Sequence, residues 1–115
     1  MIEMISKAMQ EMMNVHAQHT AMKAKHPDAI LLFRDGKYYI ALSMDAVDCN
    51  KICGTGVSRV MFEDENGSMV FVKYTKFLAS SLDMNLPKLV RAGRRVAICE
   101  HQENPATEKK LAKRA

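Results

Sequence analysis

The chain has no apolar run approaching the roughly 20 residues a membrane helix needs. Its N-terminus, with Glu3, Lys7 and Glu11 among the apolar positions, lacks the uninterrupted apolar stretch of a signal peptide. A cytoplasmic protein with no membrane partner is therefore expected. Cysteine is scarce and odd in number, three in all, so it builds no disulfide framework, and cytosolic thiols stay reduced. Gly54-Thr55-Gly56 lacks the Lys-Ser/Thr of a phosphate loop, which removes nucleotide as an expected partner. There is no internal repeat, low-complexity tract or linker, so residues 1–115 are read as one domain around one core.

Few residues are arranged for chemistry. Cys49 and Cys53, with Cys99 and His101, have four metal-ligating side chains between them but not the CxxC spacing of a zinc knuckle, so the two helical cysteines are assigned to a buried face. His16 and His19 are one turn apart with no acid placed to complete a site, and both are expected at the surface. Glu63-Asp64-Glu65 falls in a turn and reads as solvated, not as a catalytic pair meeting in a cleft. Neither a cofactor nor an enzymatic activity is expected.

What the chain does have is an ordinary globular composition, 48% hydrophobic and 26% charged, and an uneven charge. From Pro87 onward eight Lys/Arg face three Glu, a local net of +5 against −1 for the rest. Such a basic quarter is compatible with nucleic acid, although a solvated helix face also produces short charge runs.

Ile2, Ile5, Met9, Met12 and Met13 have helical spacing, and the first 25 residues read as one amphipathic helix ended by Pro27. Its six methionines suit either an irregular core, the preferred reading, or a partner-binding face. Ile30–Phe33 and Lys37–Leu42 read as strands about a turn at Asp35-Gly36. Met44–Cys53 reads as a helix with Ser43 as N-cap and Gly54 as stop.

Val57–Phe62 and Met69–Tyr74 form a second predicted hairpin around Asn66-Gly67. Thr75–Ala92 reads as a helix, with Leu78, Leu82, Leu86, Leu89 and Val90 on one face, Pro87 forcing a kink or restart near Asp83–Asn85, and Gly93 as its end. Val96-Ala97-Ile98 suits a strand covered on both faces, and Asn104-Pro105 starts a last basic helix. The order αββαββαβα predicts a mixed α/β domain, a sheet of about five to six strands packed by helices.

Two stretches carry a family resemblance. His26-Pro27-Asp28-Ala29-Ile30-Leu31-Leu32-Phe33-Arg34-Asp35-Gly36-Lys37-Tyr38-Tyr39 and Leu86-Pro87-Lys88-Leu89-Val90-Arg91-Ala92-Gly93-Arg94-Arg95-Val96-Ala97-Ile98-Cys99-Glu100 resemble the N-terminal, mismatch-recognition domain of the MutS DNA repair family. Residues 53–82 depart most from that pattern, keeping little beyond Phe77 and Leu82. The resemblance implies the MutS N-terminal fold and contact with DNA from the minor-groove side. There the family's Phe wedges into the stack at a mismatch and its Glu hydrogen-bonds the displaced base.

At those two positions this chain has Tyr38 and Ile40. Tyr38 can still stack, whereas Ile40 offers no hydrogen bond, a loss worth about 1–3 kcal/mol of discrimination by analogy with other base contacts. Lys37, Arg34 and Arg59 are the candidate phosphate partners if they face the same way. By the strand period of two, Tyr38 and Ile40 share one face and look outward together or join the core together. As ordinary strand residues they would supply hairpin packing and nothing more.

The expected function is a non-catalytic, ATP-independent module binding double-stranded DNA, with weakened or lost mismatch specificity. The alternative is a protein-interaction module, without DNA binding, that docks to another repair or DNA-processing protein.

Overall fold

The structure is a computed structural model and describes residues 7–64 and 66–99. Its elements run α1 (Lys7–Lys25), β1 (Ala29–Asp35), β2 (Tyr38–Leu42), α2 (Ser43–Cys53), β3 (Ser58–Glu63), β4 (Met69–Leu78), a 3₁₀ turn (Ala79–Ser81), α3 (Leu82–Arg91) and β5 (Arg95–Cys99). The expected mixed α/β class is observed, as a five-stranded mixed sheet in the order β3-β4-β2-β1-β5. Every pairing is antiparallel except β1 with β5. Ile2, Ile5 and the helix expected from Pro105 lie outside the described residues.

The period of two sorts the strand residues onto two cores. On one face Leu31, Phe33, Ile40, Leu42, Phe62 and Val72 pack with Met12 and Val15 of α1. On the other, Ile30, Leu32, Tyr39, Ala41 and Phe77 pack with Cys49 of α2 and Leu89 of α3. Burying both faces of β1 explains its unbroken apolar sequence, for Ala29 through Phe33 are all at most 3% exposed. The α1 methionines behave as core: Met12 is buried, and Met9, Met13 and Met22 pack around it.

His19 faces the same core at 7% exposure, with its ring 6.1 Å from that of Phe33. The surface position expected for it is corrected: spacings of three and four from Met12 through Val15 to His19 keep it on the buried stripe. His16 is half-buried, its ring edge-on to Phe62 at 5.4 Å.

The first hairpin turns one residue later than expected. Asp35 pairs with Tyr38, so the two loop residues are Gly36 and Lys37. Gly36 has φ +61°, and Lys37 stays out of the positive region, the pattern of a type II′ turn with glycine first.

Two helix boundaries also move. Leu42, in extended geometry, takes the N-cap position of α2, and Ser43 (φ +59°) makes no capping bond; Gly54, φ +71°, ends the helix as expected. Thr75–Leu78 continues β4 instead of starting a helix. The physical reason is pairing: β2 has β1 on one side, and Tyr74–Leu78 supplies the other side through Tyr38↔Leu78 to Leu42↔Tyr74.

α3 begins at Leu82 and runs on through Pro87. On it Leu89 is buried but Val90 is 58% exposed, outside the expected apolar face. It closes in a Schellman motif around Gly93, with the Gly93 amide donating to Val90 O (2.9 Å) and the Arg94 amide to Leu89 O (3.1 Å). β5 is an outer strand on which Val96 and Ala97 are half-buried and Ile98 is 43% exposed, so the cover expected on both of its faces is incomplete among the described residues. No helix among the described residues is long and apolar enough to cross a membrane.

Candidate nucleic-acid interface

The β1–β2 turn projects Lys37 and Tyr38 from one end of the sheet. Lys37 is exposed, and its carbonyl accepts from the Ala79 amide at 2.7 Å, tying the turn to the end of β4. Tyr38 is 37% exposed, and the Lys76 ammonium lies 4.5 Å from its ring centroid, within cation–π range. Leu78, opposite Tyr38 in the ladder, is also exposed. The tip thus presents one aromatic ring, one aliphatic side chain and two ammonium groups.

Tyr38 and Ile40 share a face, as strand geometry requires, yet they part in burial. Ile40 is 3% exposed and belongs to the core under α1, while Tyr38 is 37% exposed and outside that core. The expectation that both would be outward or both core is corrected, because Ile40 packs in the cluster that holds Met12 of α1 whereas Tyr38 belongs to neither core cluster. A cavity of about 180 Å³ is lined by Met9, Glu11, Met12, Asp35, Ile40 and Lys76 among others. Its two acids and one lysine give this rim mixed charge.

The other candidates lie elsewhere. Arg34 sits opposite Tyr39 on the face of α2, its guanidinium 5.4 Å from that ring and its Nε donating to Gly36 O at 2.7 Å, so it braces the turn from behind. Arg59 is on β3, paired with Lys73 and alternating with the residues that face α1. Two strands across and five residues along from Tyr38 place it roughly 15–20 Å away, on the opposite face. Lys76 was the residue missed. The alternation of buried Thr75 and Phe77 with exposed Lys76 and Leu78 is the signal of a strand, and it marks Lys76 as outward-facing beside Tyr38.

No metal-holding group forms among the described residues, and His101 lies outside them. Cys49 belongs to the core on the α2 side and Cys99 packs on the α1 side, so the sheet separates them. Burial, with Cys53 close by, pushes the Cys49 thiol up to about 11, the mark of an inert core thiol.

Residues 13–115 match the model of the family described as MutS domain I. The chain belongs to that family. MutS domain I is also the region of similarity to relatives named DNA mismatch repair protein MutS. The protein of Porphyromonas gingivalis is 47% identical over 84% of this chain, that of Bacteroides fragilis 45% over 84%, and that of Christiangramia forsetii 36% over 96%. The chain spans only about a tenth of each, 10%, 11% and 12% respectively. Within this MutS domain I, Met9, Glu11 and Met12, which line the rim beside Ile40, precede the residues matched by the family model.

Proposed function

We propose that this chain is a non-catalytic module that binds double-stranded DNA through the β1–β2 turn, without the mismatch preference that its family membership would suggest. The observation that carries this reading is the split between Tyr38, exposed at the tip, and Ile40, sealed under α1. Tyr38 offers a stacking surface and a hydroxyl, and Lys37 and Lys76 offer charge to phosphates on either side of it. Ile40 has no group with which to sense a displaced base and no exposure through which to do so. Contact is therefore set by shape and charge, with Arg34 holding the turn and Arg59 outside the footprint.

The test is titration of homoduplex and G·T-mismatched DNA at two salt concentrations. Binding to both duplexes with equal affinity, weaker at higher salt and weaker again in Tyr38→Ala, is the expected result. Negligible binding to both would overturn the reading, and a clear preference for the mismatch would overturn the loss of specificity. A protein-interaction role is the second reading. The exposed Met61, Met69 and Phe71 favour it, because they form an apolar group far from the tip.

A further inference from the structure

Among the described residues β3 is an outer strand of the sheet, and its edge away from β4 has a definite phase. Beyond it, the Asp64 amide donates to Ser68 O at 2.9 Å and the Gly67 amide to Asp64 O at 3.1 Å, so Asp64 turns both of its backbone groups toward β4. In an antiparallel ladder this orientation alternates, so Phe62, Val60 and Ser58 also face β4. Arg59, Met61 and Glu63 then present their amides and carbonyls to the outside. Among the described residues no proline or break interrupts the six-residue pairing of β3 with β4, and the charges that the edge carries, Arg59 and Glu63, are of opposite sign.

The side chains along this edge are self-complementary. We propose that β3 pairs antiparallel with β3 of a second copy of this chain, about a two-fold axis passing at Met61. Only registers that set outward-facing residues opposite one another can exchange hydrogen bonds. Centring on Arg59 would oppose two arginines, and centring on Glu63 two glutamates. Centring on Val60 or Phe62 leaves charge opposite Met61. Centring on Met61 uses all three outward residues and sets Arg59 against Glu63 of the second copy, twice by symmetry.

The same register treats the apolar residues alike on both faces. Val60 falls opposite Phe62 of the second copy on the α1 side. On the other side Met61, 50% exposed, meets its own copy, and Phe71, 76% exposed and paired with Met61 in the ladder, extends that row at both ends. The exposed apolar group that the DNA-binding tip does not use is thereby covered, and the two sheets join into one of ten strands. This dimer is independent of the DNA-binding reading.

Sedimentation equilibrium of the chain from micromolar to millimolar concentration tests it, with Arg59→Glu, Glu63→Arg, the double reversal R59E/E63R and Met61→Pro. The wild type is expected to dimerise. Each single reversal places like charges opposite each other twice and should weaken association about tenfold or more, and the double reversal should restore it. Met61→Pro removes an amide that points away from β4, so circular dichroism should show an intact fold while dimerisation is lost. A chain that stays monomeric at millimolar concentration overturns the proposal, as does a dimer indifferent to the single reversals or a double reversal that does not recover.

Discussion

The Lys76 ammonium rests 4.5 Å from the centroid of the Tyr38 ring, one strand across at the exposed end of the sheet. This pairing keeps the ring in place in the free protein and puts a positive charge beside the one aromatic group at the tip. Phosphates approaching the tip meet the charge, and bases meet the ring. Tyr38→Ala should therefore weaken duplex binding by about 1–3 kcal/mol, the usual worth of one base–aromatic stack. Lys76→Ala should instead lower the slope of log affinity against log salt by about 0.9, the signature of one lost phosphate contact. Fluorescence anisotropy across a salt series separates the two effects.

Ile40→Glu would put back the side chain that the resemblance associates with base sensing. Because Ile40 is buried beneath α1, the acid should destabilise the fold by about 2 kcal/mol or more and bring no mismatch preference. Urea unfolding and parallel titrations of matched and mismatched duplexes check both parts.

Asp45 joins three elements while only 2% exposed. Its carboxylate accepts from Lys23 Nζ at 2.8 Å and from the Leu31 amide at 3.1 Å, and Lys23 also donates to Ala29 O at 2.6 Å. The β1–β2 ladder reaches only to Phe33↔Ile40, so this carboxylate takes the place of a strand partner for β1 at Leu31. Asp45→Ala should cost about 2–3 kcal/mol, mainly from the stranded amide. Chemical denaturation measures it, and Asp45→Asn, which keeps an acceptor, should cost less.

His19 links stability to pH. Burial holds its pKa below the ordinary value, Lys23 and His16 push in the same direction, and Asp45 opposes them. Its Nδ1 has no hydrogen-bond partner among the described residues. With the folded pKa depressed, the unfolded chain takes up the proton first. Stability is then fully present above the unfolded value of about 6.5 and lost as pH falls through the folded one. Thermal melts between pH 7.5 and 5 should show falling Tm in the wild type and a flatter profile in His19→Leu.

Much of the fold was legible in the sequence for local reasons. The apolar run Ile30–Phe33 read as a strand, Gly54 and Gly93 ended helices at positive φ, and Gly67 closed the second hairpin. Residues 26–39 and 86–100 carried the family resemblance, and the match over residues 13–115 agrees with it. These signals depend on a residue and its near neighbours.

Tertiary structure decided what depends on a partner element. Thr75–Leu78 became strand because β2 needed a second neighbour, and that placed Lys76 beside Tyr38. Arg34 and Arg59 lie on the face opposite Tyr38, a consequence of strand parity and register. Alternation put Tyr38 and Ile40 on one face, but packing against Met12 and Val15 of α1 sealed Ile40 and left Tyr38 exposed. Side-chain direction is a local property, whereas the cover over Ile40 comes from Met12 and Val15 of α1, distant in the chain, and only packing could fix it.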